Sequence, residues 1–211
     1  AHPRGVFLMN GTSILITGGT GFLGRAIAKA LLIEGRYQRV CIYSRGEHTQ
    51  ARMFEDLGRD PRLRMWIGDV RDRARLYWSM RSADRVIHAA ALKRVEVGHY
   101  NPTEMVRTNI EGAMNVIDAS ITAKIERAVL VSTDKAFQPV SPYGISKAMA
   151  EAMFISANNT TVDGRPSFAV CRYGNVAGST GSVIPVWRSQ LANGKPVVMR
   201  DPTCTRFWMT V

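Results

Sequence analysis

The sequence predicts an α/β fold in three layers, a doubly wound parallel sheet with helices on both faces. Two patterns carry that reading. From Ser13 onward, short apolar runs alternate with longer stretches of helical spacing, and glycine or proline falls where the apolar runs should end. The chain of 211 residues, 45% hydrophobic and 21% charged, can bury one substantial core. One domain is therefore expected over residues 11–211, behind a patternless tail at 1–10.

Six apolar runs are predicted as strands: Ser13–Thr17, 40–43, Leu63–Ile67, Arg85–His88, 128–132 and 168–172. Helical spacing covers Phe22–Glu34 and residues 48–57, 72–80, 103–123 and 142–158. The longest of these carries Val106, Ile110, Ala113, Met114 and Ile117 on one face. In sheets of this kind ligands sit beyond the carboxyl ends of the strands, so chemistry is sought there.

No apolar run has the length of a membrane span or a signal-peptide core, which predicts no membrane partner. Cys41, Cys171 and Cys204 are odd in number and scattered, without disulfide or metal-ligand spacing, so the reduced cytoplasm is expected and no metal. The net charge is +11, but the basic residues form no run and no aromatic-interleaved stripe, and nucleic acid is not expected. Only six of the 28 basic residues are Lys, and the Arg excess suits phosphate ligands.

The first strand is followed by Thr17-Gly18-Gly19-Thr20-Gly21-Phe22-Leu23-Gly24. Gly18 permits a tight turn, Gly21 lets the backbone approach a pyrophosphate, and Gly24 lets the helix pack closely on the strand. The helix N-terminus then faces the anion. This strand-turn-helix context points to a Rossmann-like dinucleotide site. The second strand closes on Ser44 and Arg45 rather than on an acid, which suits a ribose phosphate and favours NADP over NAD. Asp69, after the third strand, can meet the adenine amino group, or it and Asp72 can cap the following helix.

Tyr143 and Lys147 are one helical turn apart and project from one face. An ammonium within about 4–6 Å favours a phenolate by about one to three pH units, so Tyr143 is expected to act as a base. By itself the spacing is common on solvated helix faces. Thr133-Asp134-Lys135 lies just past the fifth strand, at the same sheet edge as the glycine turn. With a raised pKa Asp134 can donate to a leaving group, and with a lowered one Lys135 can accept a proton. The alternative is an exposed ion pair.

With the glycine turn, His88-Ala89-Ala90-Ala91, the Tyr143/Lys147 pair and Arg172-Tyr173-Gly174-Asn175-Val176 in this order, the chain resembles the extended short-chain dehydrogenase/reductases from Gly11 onward. Within them, Ser132-Thr133-Asp134-Lys135-Ala136, Gly68-Asp69-Val70-Arg71-Asp72 and Thr205-Arg206-Phe207-Trp208 are similar to the soluble UDP-N-acetylglucosamine 4,6-dehydratases that invert C5. The dTDP-glucose dehydratases place Glu where Lys135 stands, and membrane-anchored relatives commonly place Met where Tyr143 stands.

The resemblance implies that Tyr143 and Lys147 oxidise C4 of UDP-N-acetylglucosamine with transfer of hydride to NADP+. Lys135 would then remove the C5 proton and Asp134 assist loss of water from C6, before hydride returns to C6. It further implies cofactor contacts from Thr20, Phe22, Val70, Ala89, Ala90 and Tyr173, with Lys147 serving both cofactor and chemistry. Thr133 is expected beside the sugar and keto oxygen, and Asn109 near Lys147. Lys93, Asn175 and Arg206 are expected on the nucleotide sugar, although Glu96 stands where the family often has Pro.

A homo-oligomer through helices 103–123 and 142–158, and a route toward pseudaminic-acid-type sugars, are implied as well. The family continues for roughly a hundred further residues, so a C-terminal substrate lobe is expected to be missing and cofactor binding to be the firmer property. Two other readings stand beside this one. A UDP-sugar 4-epimerase uses the same Tyr/Lys oxidation without an acid and base for elimination, and a non-catalytic module would bind NADP alone.

Overall fold

All five residues of β1 (Ser13–Thr17) are buried, as a strand covered on both faces of a parallel sheet must be. The computed structural model describes residues 13–179, 182–199, 201, 203 and 205–210, so the expected tail at 1–10 and Cys204 lie outside the described residues. After β1 come α1 (Phe22–Glu34), β2 (Arg39–Ser44), α2 (Glu47–Asp56), β3 (Leu63–Ile67), α3 (Arg73–Met80) and β4 (Arg85–His88). The second half holds α4 (Val95–Tyr100), α5 (Pro102–Met105), a π-helical turn (Val106–Glu111), α6 (Gly112–Thr122), β5 (Arg127–Val131), α7 (Pro142–Ala157) and β6 (Ser167–Cys171).

The six strands form one parallel sheet in the order β3-β2-β1-β4-β5-β6. That is the predicted doubly wound α/β architecture. Strand order reverses between β1 and β4, which opens a crevice at their carboxyl ends. Side chains alternate across β1, so Leu15 joins Val86, Leu130, Ala113 and Phe154 in one core, whereas Ile14 and Ile16 join Ile42, Ala28 and Met53 in the other. Among the described residues no helix is long and apolar enough to cross a membrane.

The helix expected over 103–123 is a correction. It is broken into α5, the π turn and α6, and the extra residue per turn shifts the helical phase. Val106 and Met114 consequently turn outward, while Met105, Thr108, Asn109, Ala113 and Ile117 are buried. Strand and helix ends move by about one residue elsewhere, as at β5 and β6.

Among the described residues, α4, α8 (Val183–Ala192), the short turn Asp134–Ala136 and the two-residue strands β7 (Asn175–Val176) and β8 (Trp208–Met209) had no place among the sequence expectations. The strands are too short for a period. No residue of α8 is buried, although Val183, Val186, Trp187 and Leu191 recur at helical spacing along it. β7 and β8 pair in parallel, Asn175 opposite Trp208.

Candidate active site

The chain leaves β1 and enters α1 within four residues, and glycine makes that possible. Gly18 sits at φ +67°, in the left-handed region, and a Cβ there would lie 2.7 Å from Ala90 Cα. At Gly24 a Cβ would come within 2.5 Å of the Gly18 carbonyl oxygen, so α1 packs directly on the turn. Gly21 differs: a Cβ there would approach only the Gly18 carbonyl oxygen, at 3.1 Å, leaving the turn open toward the crevice. No side chain caps α1, so its first N–H groups stay available to an anion.

The crevice is a cleft of about 760 Å³, within the range that holds small-molecule ligands. Every residue expected to touch the cofactor lies on its wall: Gly18, Thr20, Gly21, Phe22 and Gly24 from the turn, Ser44 and Arg45 after β2, Asp69 and Val70 after β3, Ala89 and Ala90 after β4, then Lys147 and Tyr173. Lys93, Thr133, Lys135, Tyr143 and Asn175 line it too. Asp134 stands behind Lys135. Arg206 is exposed and away from the wall, where its Nη1 donates to the Thr205 carbonyl, and Trp208 from the same stretch lines the cleft instead.

At the far end, Gln50 is buried and its Nε2 donates to the Ser44 hydroxyl and carbonyl, at 3.0 Å each, and to the Trp66 carbonyl at 2.8 Å. The Ser44 hydroxyl is thereby fixed beside Arg45. Asp69 accepts from the backbone N–H of Arg71 and pairs with its guanidinium at 2.7 Å. Against burial, which pushes its carboxyl up, Arg71 holds Asp69 below the usual range. Capping falls to Asp72 alone, whose Oδ1 accepts from Arg75 N at 2.9 Å. Asp69 is left facing the cleft.

The other wall is built by α7 and the turn after β5. Ser141 caps α7 by accepting from Gly144 N, and Pro142 occupies its first turn. A Cβ on Gly144 would lie 2.3 Å from the Lys135 carbonyl oxygen, so glycine lets α7 press against the Asp134–Ala136 turn. Tyr143 and Lys147 are thus brought beside Thr133, Asp134 and Lys135. Lys135 Nζ donates to Asp134 Oδ1 at 2.9 Å and to Asn175 Oδ1 at 3.0 Å, and Thr133 Oγ1 donates to the same Asp134 oxygen at 3.0 Å.

Two expectations about protonation are reversed. Against burial, the Lys135 ammonium and the Thr133 hydroxyl hold Asp134 below the usual carboxylate range, so it rests ionised rather than as a raised acid. Burial, with Tyr173 beside it, pushes the Tyr143 phenol up to about 12, so it rests neutral. Burial also pushes Lys147 down to about 8, with Glu151 pulling the other way. Asn109 is placed by the π turn. Its amide exchanges hydrogen bonds with the Leu92 backbone and donates to Ser146 Oγ at 2.9 Å, satisfying backbone and bracing the residue before Lys147.

Gln50, Glu151 and Trp208 belong to this region and were not among the expected site residues. Only Glu151 left a signal in the sequence, since it follows Lys147 by one helical turn. Among the described residues no group of acidic, His or Cys side chains could hold a metal ion.

A parallel sheet in this strand order, with a glycine turn at its switch point and a Tyr/Lys pair on the facing helix, is a Rossmann-like architecture. The chain belongs to the polysaccharide biosynthesis protein family, which matches residues 14–211. It is 44% identical over 205 residues to the inverting UDP-N-acetylglucosamine 4,6-dehydratase of Campylobacter jejuni, covering 97% of this chain and 61% of that protein. It is 39% identical over 202 residues to the UDP-glucose 4-epimerase of Rickettsia akari, covering 94% of this chain and 59% of that one. The X-ray structure of Pen from Bacillus thuringiensis superimposes with a TM-score of 0.90 at 36% identity, covering 97% of this chain and 63% of that one. The resemblance drawn from the motifs is borne out, and the chain spans about three-fifths of the length of these curated relatives.

Proposed function

We propose that this chain is the NADP-binding and catalytic part of a cytoplasmic UDP-N-acetylglucosamine 4,6-dehydratase that inverts C5. The observation that carries the reading is the Lys135–Asp134 hydrogen bond, on the same side of the cleft as Tyr143 and Lys147. The open turn at Gly21 and the uncapped start of α1 suit a pyrophosphate, and Ser44 with Arg45 suits a 2′-phosphate. Bound NADP+ supplies a reversible hydride acceptor.

Tyr143 rests as a neutral phenol, so it first gives up its own proton to solvent in the cleft. The phenolate, with the Lys147 ammonium as its cationic partner, then takes the proton of the C4 hydroxyl as C4 is oxidised. The resulting ketone acidifies C5. Lys135 removes the C5 proton, and Asp134 protonates the C6 hydroxyl as it leaves as water. Their resting forms are ammonium and carboxylate, opposite to the forms this work requires. One proton shift along the 2.9 Å bond from Lys135 to Asp134 yields a neutral amine and a carboxylic acid together. The hydride taken from C4 is returned to C6, and a proton from solvent adds to C5 on the opposite face and inverts it, with Thr133 near the keto oxygen and Lys93 and Asn175 toward the nucleotide sugar.

A 4-epimerase is the second reading, favoured by the likeness to the Rickettsia protein. It has no use for the Asp134–Lys135 acid-base pair. The test is incubation with UDP-N-acetylglucosamine and NADP+, on this chain and on a longer one continuing past residue 211, with the product read by NMR. A 6-deoxy-4-keto sugar inverted at C5 supports dehydration. A C4 epimer sinks it, and NADP+ binding with no turnover by either chain leaves a non-catalytic module. Association of two copies through the exposed apolar side chains of α6 and α7, among them Met114, Ile145 and Met149, belongs to the same proposal.

A further inference from the structure

Lys147 is 2% exposed, and an ammonium that deeply buried needs a counter-charge to persist. From β4, His88 faces it without charge. The imidazole is fully buried, its Nδ1 is engaged with Thr17 Oγ1 at 2.7 Å, and burial together with Lys147 pushes its pKa down to about 3. Tyr143, one turn earlier on α7, is a neutral phenol. One turn later comes Glu151, 8% exposed, on the same buried face of α7.

Arg172, just past β6, grips both oxygens of Glu151, with Nε at 2.9 and 3.1 Å and Nη2 at 2.5 Å. The two ends of this ion pair differ. The Arg172 side chain is 46% exposed and the Glu151 side chain 11%, so water screens the guanidinium more than the carboxylate. The negative field survives inward, toward Lys147.

We propose that Glu151, clamped by Arg172, is a positioning residue that keeps Lys147 in its ammonium form beside Tyr143. Its consequence for catalysis rests on the proposed Tyr143 chemistry, but its effect on Lys147 does not. The two partners of the clamp act in opposite directions. Removing the Glu151 charge takes away the stabilising field, whereas removing Arg172 strips a positive charge from behind Glu151 and strengthens that field.

The experiment is a pH titration of the ligand-free protein with 13C-labelled lysine side chains, reading the Lys147 Cε resonance, which is identified by its loss in Lys147→Met. Glu151→Gln is expected to lower the Lys147 midpoint by about one pH unit, and Arg172→Met to raise it. A merely structural clamp predicts lower melting temperatures for both and an unmoved midpoint. An unmoved midpoint, or shifts in the same direction, overturns the proposal. Should Glu151→Gln not fold, Arg172→Met decides by itself: an upward shift supports the proposal and any other result removes it. Loss of the dehydration reading with the Lys147 shifts intact would overturn the reaction alone.

Discussion

Lys135 and Asp134, neighbours in sequence, are also hydrogen-bond partners, with Nζ 2.9 Å from Oδ1. Adjacent side chains seldom meet this way on a regular helix or strand, because they point apart. The three-residue turn Asp134–Ala136 permits it, with Thr133 capping the turn from one side and Asn175 holding the ammonium from the other. Both partners remain partly exposed, at 41% and 26%, so the pair adds little to folding stability.

Asp134→Asn should test the proposed proton shift directly. The amide keeps a hydrogen-bond acceptor for Lys135 but cannot take its proton, so the amine form is no longer made by transfer within the pair. Turnover should fall by about 10²–10⁴, and exchange of the C5 proton with D₂O should fall with it, while NADP+ affinity by calorimetry stays near that of the parent. Unchanged C5 exchange would show that Lys135 loses its proton by another route.

Two glycines of one turn should fail in different ways. At Gly24 an added methyl lies 2.5 Å from backbone that cannot move without disturbing α1. Gly24→Ala should therefore cost about 1–3 kcal/mol or more of stability, read as a lower melting temperature. Gly21→Ala meets only one atom, at 3.1 Å, and its methyl enters the cleft. It should melt within a few degrees of the parent yet lose most NADP+ binding. Equal melting losses in both variants would contradict this.

Arg45 should sort the two nicotinamide cofactors. A guanidinium contact with a phosphate is worth about 1.5–3 kcal/mol, so Arg45→Ala should weaken NADP+ by roughly 10- to 100-fold. NAD+ has no 2′-phosphate for it to lose and should bind about as before. Gln50→Leu, which frees the Ser44 hydroxyl it now holds at 3.0 Å, should move NADP+ affinity in the same direction. Equal losses for both cofactors in calorimetry would remove the phosphate assignment.

What the sequence disclosed follows physical range. The strands flanking the glycine turn were legible because both faces are buried, and Ile14-Leu15-Ile16 and Cys41-Ile42 read as apolar runs. Gly18 and Gly24 were legible because a fixed backbone shape demands them. The π turn was not, since Val106, Ile110 and Met114 keep an ordinary helical spacing and only contacts with Leu92 and Ser146 reveal the shifted phase. Protonation was illegible for a related reason. Spacing shows that Lys147 follows Tyr143, but burial of both, which sends the phenol up and the ammonium down, is a property of the assembled core.

That burial carries a prediction about stability against pH. Lys147 has a folded pKa of about 8 against 10.5 when exposed, so between those values the unfolded chain binds more protons than the folded one. Stability from this group therefore rises as pH climbs from about 8 toward 10.5, by up to about 3 kcal/mol. Tyr143 works in the opposite sense. Its folded pKa of about 12 against 10 means that the folded state holds its proton longer, and stability is lost as pH rises above 10. Urea unfolding should show Lys147 adding stability between about pH 8 and 10, with Tyr143 offsetting it beyond. Lys147→Met should reduce the rise, to which Lys93, also pushed down by burial, contributes. Tyr143→Phe should reduce the later decline, which the raised phenols of Tyr43 and Tyr173 share. If Lys147→Met follows the parent curve through pH 8–10, the lysine is not carrying a buried charge, and the clamp through Glu151 has nothing to hold.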